Sequence, residues 1–303
     1  MQDEMSAVLV AVDWGTSSFR ARTVRADRSV IDTISTDEGI LKAKGRFEEV
    51  FRTHIPALKG YRAGLPVILS GMIGSRNGWV EVPYATMPTK PDALSKAMTK
   101  IEVEGIGDVW FIPGIMAEGD KADVMRGEET EIFGALEMLG IANATMIIPG
   151  THSKHVDIRD GAIQSYRTYI TGEMFHALTT ATILGAFGKD VCEDCEWFSE
   201  GVRIGARDGN SGALLNRLFT ARARVLVDGL PENHAACYLS GMLIGAELKE
   251  AMGQDGDIWI LGNGRLPEIY LKALKVLGGD AKIVPMGGVV HGAMQVAEAI
   301  ELV

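Results

Sequence analysis

Residues 8–20 constrain the fold more than any other stretch of this sequence. Five consecutive apolar residues, ending at Val12, predict a buried β-strand. Asp13 stands at the end of that strand, and strand-forming residues resume at Phe19 without a helix between. The stretch therefore predicts a β-hairpin, whose turn contains Gly15, Thr16 and Ser17.

The turn of this hairpin has the composition of an anion-binding loop. Backbone N–H dipoles attract phosphate oxygens, and a carboxylate at a strand end can hold Mg²⁺ through water. Asp13 is therefore a magnesium candidate. The same residues also fit a polar turn that uses Asp and Gly for its geometry alone. The turn by itself leaves both interpretations open.

Composition and charge argue against several classes of function. The 303 residues are 47% apolar and 23% charged, which is typical of a globular protein with a substantial core. A net charge of −10 argues against nucleic acid or an anionic membrane as a partner. Apolar runs stay well short of the ~20 residues of a transmembrane helix, and the acidic residues 1–5 do not resemble a signal peptide. We expect a cytoplasmic protein.

Cys192 and Cys195 form a CxxC pair with two acidic residues between them. A structural zinc site takes about four ligands, and the sequence shows no second pair of this kind. We therefore expect solvated loop thiols rather than a metal site.

Another short strand is predicted at residues 66–69, followed by a glycine-punctuated loop at residues 70–75. Trp79 and Tyr84 come next in the chain. Aromatic side chains in a loop after a strand can form a platform for a sugar ring, or they can pack in the core. The sequence favours neither role.

The spacing of apolar residues predicts a helix over Glu128–Leu139, with Ile132, Leu136 and Leu139 on one face. Acidic residues in the first turn suit the helix dipole. The functional alternative is that one of them is a general base at a helix start beside a cleft.

The second half of the chain repeats the pattern of the first. A strand at residues 144–148 leads into a loop with glycine, hydroxyls and a lysine, and strand character resumes at Val156. His152 and His155 in this segment lack a third metal ligand, so hydrogen bonding is the favoured role. Later, a strand, a glycine turn at residues 262–264 and a helix at residues 267–277 form a typical nucleotide-binding context.

Six motifs in order resemble the 2-dehydro-3-deoxygalactonokinase family of the actin-like ATPase superfamily. They are VDWGTSSFRAR, SGMIGSRNGW with VPY, VMRGEETEIFGA, IPGTHSKHV, YRTYITGE and SGMLIGAE. The resemblance implies a two-lobed α/β fold of the ribonuclease H-like type, with a mixed sheet flanked by helices in each lobe and the nucleotide in the cleft between. We expect lobes at residues 1–126 and 127–303, with the last helix, about 289–301, packing back on the first lobe.

The resemblance also implies an activity. It is the ATP- and Mg²⁺-dependent phosphorylation of 2-dehydro-3-deoxy-D-galactonate at the 6-hydroxyl. The alternatives are a kinase for another sugar or sugar acid, such as 2-dehydro-3-deoxygluconate, or a non-catalytic ATP-binding sensor. The implied partners are the sugar acid and ATP, and a homodimer is among the assembly states left open.

The roles implied for the nucleotide fall on three segments. The first phosphate loop is Asp13 with Gly15, Thr16 and Ser17. The second is Gly150, Thr151, His152 and Ser153, with Lys154 neutralising charge on the transferred group. The adenosine turn is Gly262, Asn263 and Gly264.

The roles implied for the sugar acid centre on the start of the predicted helix. Glu128 is assigned as the base, with Glu129 and Asp13 as rivals. Arg126 is the first choice for the substrate carboxylate, with Arg76 and Arg167 as alternatives, since guanidinium groups suit carboxylates. A surface salt bridge to Glu129 or Glu131 is the other explanation of Arg126. The remaining substrate candidates are Gly71, Met72, Ser75, Trp79, Tyr84 and Glu129.

Overall fold

The computed structural model describes residues 6–188, 190–209, 213–250 and 257–303. The strands are β1 (Leu9–Trp14), β2 (Phe19–Val24), β3 (Val30–Thr36), β4 (Val67–Ser70), β5 (Ala85–Thr86), β6 (Thr99–Val103), β7 (Gly107–Phe111), β8 (Ile115–Ala117), β9 (Asp123–Met125), β10 (Ala144–Ile148), β11 (Ser153–Arg159), β12 (Ala162–Tyr169), β13 (Ile258–Ile260) and β14 (Lys282–Ile283). The helices are α1 (Ile40–Ala43), α2 (Phe47–His54), α3 (Pro91–Lys96), α4 (Glu128–Leu139), α5 (Thr171–Ala181), α6 (Glu196–Gly205), α7 (Ala213–Val227), α8 (Ala235–Lys249), α9 (Leu266–Val276) and α10 (Gly288–Glu298).

The described residues form two compact units. The first holds those of Met1–Asn143 together with Ile158–Ser165 and Pro285–Val303. The second holds those of Ala144–Asp157 and Tyr166–Val284. No helix in the described ranges is both long enough and apolar enough to cross a bilayer.

A six-stranded sheet in the order β3-β2-β1-β4-β7-β6 forms the centre of the first unit. The predicted hairpin is confirmed, because β1 pairs antiparallel with β2 and sets Asp13 opposite Arg20. β1 also pairs in parallel with β4, with Asp13 beside Ser70. Since parallel strands end at the same edge of a sheet, the residues that follow β1 and β4 are brought together there.

One face of this sheet is covered by aromatic packing. Trp14 lies edge-on to Phe19, with ring centroids 4.8 Å apart. Both side chains are fully buried, as is Phe51 of α2 in the same core cluster. Because successive side chains of a strand point to opposite faces of the sheet, Asp13 and Arg20 lie on the face opposite Trp14 and Phe19.

Helices α4 and α10 pack together with their backbones in near contact. A Cβ atom at Gly134 would lie 1.8 Å from the carbonyl oxygen of Gly288, and one at Gly292 would lie 2.0 Å from that of Thr130. This packing joins both helices to the first unit. The lobe boundary predicted from the sequence, at residue 127, instead assigns α4 to the second lobe.

The second unit is organised on a sheet in the order β12-β11-β10-β13-β14, in which β10 and β13 run parallel. Helices α6 and α8 also pack through glycines: a Cβ at Gly201 would lie 2.2 Å from the carbonyl oxygen of Tyr238. The sequence predicts mostly helix over residues 203–224, and the structure has α6 up to Gly205 and α7 from Ala213 in this stretch. Residues 210–212 lie outside the described part of the chain.

Candidate active site

Three chain segments of the first unit meet at the carboxyl end of β1. A Cβ at Gly71, which follows β4, would lie 2.8 Å from the carbonyl oxygen of Trp14 and 3.5 Å from Oδ1 of Asp13. A Cβ at Gly127, which precedes α4, would lie 3.2 Å from the Cα of Gly71. Both glycines have positive φ, 94° and 110°. Glycine at these positions therefore allows the ends of β1, β4 and α4 to converge.

Asp13 lies half-buried at this convergence, on the same face of the sheet as Arg20 and Arg22. Its Oδ2 is 3.7 Å from Nη1 of Arg20. Burial raises the pKa of Asp13, and Glu128 raises it further, while Arg20 and Arg22 act in the opposite direction. A carboxylate that is desolvated in this way favours a bound cation, because the cation stabilises its charged form.

The carboxylates of the first turn of α4 bind the N–H groups just ahead of the helix. Oε2 of Glu128 accepts from the backbone N–H of Arg126 over 3.0 Å, and Oε2 of Glu129 accepts from that of Gly127 over 2.7 Å. Glu129 is completely buried, whereas Glu128 is only half-buried. Of these two neighbours, Glu128 is the one that a substrate hydroxyl can approach.

The carboxyl groups around Glu128 differ in their ionisation. Burial, reinforced by the charge of Glu128, raises the pKa of Glu129 to about 8. Burial, reinforced by Asp13 and Glu128, raises the pKa of Glu131 to about 7. At neutral pH Glu129 is therefore mainly protonated, which suits a hydrogen-bonding role in this turn better than proton abstraction.

Arg126 is buried next to the start of α4. Its Nη2 donates to the carbonyl oxygen of Val82 over 2.7 Å, and its guanidinium carbon lies 4.3 Å from the ring centroid of Tyr84. Its Nε and Nη1 are buried and have no hydrogen-bond partner among the described residues. The residue is only 8% exposed, so the surface salt bridge considered from the sequence is wrong.

The loop after β4 packs against Arg126. A Cβ at Gly74 would lie 3.0 Å from Nη1 of Arg126, so the glycine makes room for the guanidinium. The hydroxyl of the next residue, Ser75, is buried and lacks a partner in the described part of the chain. Two unsatisfied polar side chains in adjoining segments are costly unless a ligand binds them.

Other members of the predicted substrate loop contribute to packing. The Trp79 ring lies 5.2 Å from that of Phe51 and 5.8 Å from that of Phe111, measured between centroids. Met72 also packs against this core cluster. These contacts agree with the packing alternative for Trp79, and its role as a sugar platform stays a prediction.

The first predicted phosphate loop is an exposed hairpin turn. The N–H of Gly15 donates to the carbonyl oxygen of Ser18 over 2.9 Å. The carbonyl oxygens of Gly15 and Thr16 accept from N–H groups at the start of α1. The side chains of Thr16 and Ser17 are exposed, so their hydroxyls are accessible to an anionic ligand.

The second predicted phosphate loop, between β10 and β11, lies at the start of α5 in the second unit. A Cβ at Gly172 would lie 2.5 Å from the carbonyl oxygen of Gly150. The N–H of Glu173 donates to the carbonyl oxygen of Thr151 over 3.0 Å. His152 and Thr151 are exposed.

The predicted adenosine turn lies at the same edge of the second unit's sheet, because β13 runs parallel to β10. A Cβ at Gly262 would lie 3.9 Å from Cδ of Pro149 in the loop after β10. Asn263 and Gly264 are exposed in the turn before α9.

Ser153, Lys154 and His155 lie buried in β11. The hydroxyl of Ser153 is 2.8 Å from that of Tyr270, which donates to Glu247, and Glu247 also bonds His155. His152 bonds Glu173 separately over 2.7 Å. The hydrogen-bonding interpretation of the two histidines is confirmed, while phosphate binding by Ser153 and Lys154 stays a prediction.

Two residues that matter to this geometry were missed in the sequence. Glu131 follows Glu128 by three positions, and that spacing places the two on neighbouring points of a helix. Gly74 carried no signal beyond its place in a glycine-punctuated loop. Of the other arginines proposed for the carboxylate, Arg76 is exposed and Arg167 pairs with Glu250 over 2.8 Å.

The chain has the actin-like ATPase fold. The activator of 2-hydroxyisocaproyl-CoA dehydratase from Clostridium difficile, solved with bound ADPNP, shares this fold, with a TM-score of 0.51, 11% identity and coverage of 97% of this chain and 96% of that one. The sequence profile of the 2-keto-3-deoxy-galactonokinase family matches residues 13–296, and the chain belongs to this family.

Relatives of this chain carry the corresponding enzyme name. The probable 2-dehydro-3-deoxygalactonokinase DgoK1 of Rhizobium meliloti (strain 1021) is 33% identical over 299 residues, which is 95% of each chain. The 2-dehydro-3-deoxygalactonokinase of Escherichia coli (strain K12) is 29% identical over 285 residues, 92% of this chain and 94% of that one. The crystal structure of a protein assigned to this enzyme from Sinorhizobium meliloti has a TM-score of 0.88 at 33% identity, covering 96% of this chain and 99% of that one.

Proposed function

We propose that this chain transfers the γ-phosphoryl group of ATP to the 6-hydroxyl of 2-dehydro-3-deoxy-D-galactonate. Membership of the 2-keto-3-deoxy-galactonokinase family and the names of its relatives support this activity. The observation that carries the choice of a sugar acid is Arg126 beside the proposed base, a buried guanidinium with two nitrogens that no described residue partners. A neutral sugar would not compensate its charge.

Glu128 is the proposed general base. Its carboxylate is half-buried, and the bond from the Arg126 N–H fixes its position. Glu129 is fully buried and its pKa of about 8 leaves it mainly protonated at neutral pH. A base positioned in this way typically contributes about 10²–10⁴ in rate.

The substrate carboxylate is proposed to bind Arg126. Its stacking on Tyr84 and its bond to Val82 fix the plane of the guanidinium. Nη1 and Nε then remain as donors for an anion. Charge-assisted hydrogen bonds of this kind are shorter and stronger than neutral ones.

The nucleotide is proposed to bind the two phosphate loops and the glycine turn named from the sequence. The support is their exposed hydroxyls and backbone turns within their own units. Asp13 suits Mg²⁺, since burial raises its pKa and a cation would restore its charge. Bound Mg²⁺ supplies charge neutralisation at the nucleotide phosphates.

The proposed chemical step transfers the γ-phosphoryl group to the 6-oxygen of the sugar acid. The 6-hydroxyl gives its proton to Glu128, its oxygen bonds to the γ-phosphorus, and the bond from that phosphorus to the bridging oxygen of ADP breaks. Phosphoryl transfer has a loose transition state, so positioning and charge stabilisation account for most of the catalysis. An ATP-dependent reaction of this kind also suits the proposed cytoplasmic location.

A coupled ADP-release assay tests the function. The purified chain, ATP and Mg²⁺ are combined with 2-dehydro-3-deoxy-D-galactonate, its gluconate epimer, galactonate and a neutral hexose. We expect turnover with the first compound and phosphate on its 6-oxygen by NMR. Preference for the neutral hexose would overturn the sugar-acid assignment, and ATP binding without turnover on any of the four would favour the sensor.

A further inference from the structure

The fold of the second unit gathers cysteine and histidine side chains that are far apart in the sequence. The donor atoms of Cys195, His234 and Cys237 all lie within 4.8 Å of one another. The Sγ of Cys237 is 3.9 Å from Nδ1 of His234. Cys237 is buried and Cys195 partly so. Cys192 is exposed, as expected for a solvated loop thiol, whereas Cys195 is half-buried and lies near a His-x-x-Cys pair at the start of α8.

Cys192 lies against the same cluster. Its backbone N–H donates to Sγ of Cys237 over 3.1 Å, and its carbonyl oxygen accepts from Sγ of Cys195 over 3.0 Å. Its side chain therefore starts from a Cα that lies beside both thiols. Together the four residues have the spacing C-x₂-C, 38 intervening residues, then H-x₂-C.

This donor set matches the preference of one class of metal ion. Zn²⁺ in structural sites takes four Cys and His ligands in a tetrahedron, with Zn–S near 2.3 Å and Zn–N near 2.0 Å. Ligand atoms bound in that geometry are separated by about 3.5–3.8 Å. The observed separations need adjustments of about an ångström or less at the three placed donors.

Helix starts and ion pairs surround the four residues. Cys195 is the N-cap of α6 and His234 that of α8, so two of the residues lie at the positive ends of helix dipoles. Two ion pairs tie the loop between the cysteines to the region of α9: Glu193 with Arg265 over 2.5 Å and Asp194 with Lys272 over 2.8 Å.

We propose that Cys192, Cys195, His234 and Cys237 form a closed structural Zn²⁺ site that joins the N-terminal ends of α6 and α8. On binding, the three thiols release their protons to solvent and the histidine binds through Nδ1. The four positions leave no open place for substrate, so the site stabilises the second unit and takes no part in phosphoryl transfer.

The test measures zinc in the full chain, purified without chelator, by inductively coupled plasma mass spectrometry. We expect about one Zn²⁺ per chain. Cys195→Ser, Cys237→Ser and His234→Asn should each lower the zinc content about 10-fold or more, as should Cys192→Ser. His176→Asn is the matched control, since this exposed histidine of α5 lies in the same unit, and it should keep the metal.

Cobalt substitution keeps the test decisive if a variant fails to fold. The wild-type chain, stripped by a chelator and given Co²⁺ alone, should show the visible bands of tetrahedral thiolate-bound cobalt. Stripping should also lower its melting temperature, and Zn²⁺ should restore it. A wild-type chain that holds no zinc and gives no such bands would overturn the site, as would a Cys192–Cys195 disulfide in the chain purified under reducing conditions. Zinc content unchanged in Cys237→Ser would do the same.

Discussion

The backbone N–H of Arg126 donates to Oε2 of Glu128 over 3.0 Å. Arg126, which is proposed to bind the substrate carboxylate, thus also positions Glu128, which is proposed to take the proton of the substrate hydroxyl. Arg126 and Glu128 lie on either side of Gly127, whose positive φ of 110° turns the chain from β9 into α4. A substrate bound to Arg126 would therefore be placed relative to the base by a single short turn.

Glu128→Gln should lower kcat by about 10²–10⁴ and leave the KM values within a few-fold, because the amide keeps the shape of the side chain but cannot accept the proton. Steady-state ADP release measures both parameters. Glu268→Gln, in the exposed first turn of α9, is the control and should be silent. Near-normal turnover in Glu128→Gln with strong loss in Glu129→Gln would move the base to Glu129.

Arg126→Lys should raise KM for the sugar acid about 10-fold or more, since hydrogen bonds to charged groups contribute about 1.5–3 kcal/mol each. Lysine keeps the charge but loses the planar donors that stack on Tyr84. KM for ATP should stay unchanged. Arg76→Lys alters an exposed arginine just after the loop at residues 70–75 and serves as the control. An effect of Arg76→Lys that exceeds that of Arg126→Lys would contradict the assignment.

Gly71→Ala should destabilise the chain by about 1–3 kcal/mol, because its backbone occupies a region that L-residues rarely adopt. The added Cβ would also lie 2.8 Å from the carbonyl oxygen of Trp14. Urea unfolding measures the change. Gly105→Ala is the control, because Gly105 has a similar positive φ of 79° but its added Cβ would have no described atom within 4 Å. The difference between the two variants gives the steric part of the loss in stability. Equal losses in the two variants would show that the contact with Trp14 is unimportant.

The stability of the chain should fall as the pH rises between about 4.5 and about 8. In that window Glu129 keeps its proton in the folded chain, where its pKa is about 8, but loses it in the unfolded chain, whose value is near 4.5. The folded state therefore binds more protons, so the free energy of unfolding decreases with pH. One such group contributes up to about 1.4 kcal/mol per pH unit.

Glu129→Gln should flatten this dependence, because glutamine does not titrate. Urea unfolding at about pH 5.5 and about pH 7.5 measures the slope directly. Glu81→Gln changes an exposed carboxylate of the same unit and should leave the slope as it is in the wild type. A slope that is the same in Glu129→Gln and wild type would show that Glu129 is not the group responsible.

The elements with strong local patterns were predictable. Periodicity predicted α4 at Glu128–Leu139, and the structure has the same bounds. Short elements were missed: β6 has three buried or half-buried positions alternating with exposed Lys100 and Glu102, a weak pattern for an edge strand. The four-residue helix α1 is too short to show a helical period.

By itself, the sequence determined the β1–β2 hairpin, the helix that begins at Glu128, and six ordered motifs that led to the family. These depend on neighbours along the chain, whose spacing is read directly. Only the tertiary structure decided that Glu129 is buried while Glu128 is half-buried, and that Cys195 lies near His234 and Cys237. It also decided that two nitrogens of Arg126 have no hydrogen-bond partner among the described residues. Burial and proximity of distant residues are set by how helices and strands pack, and a linear pattern does not contain that distance.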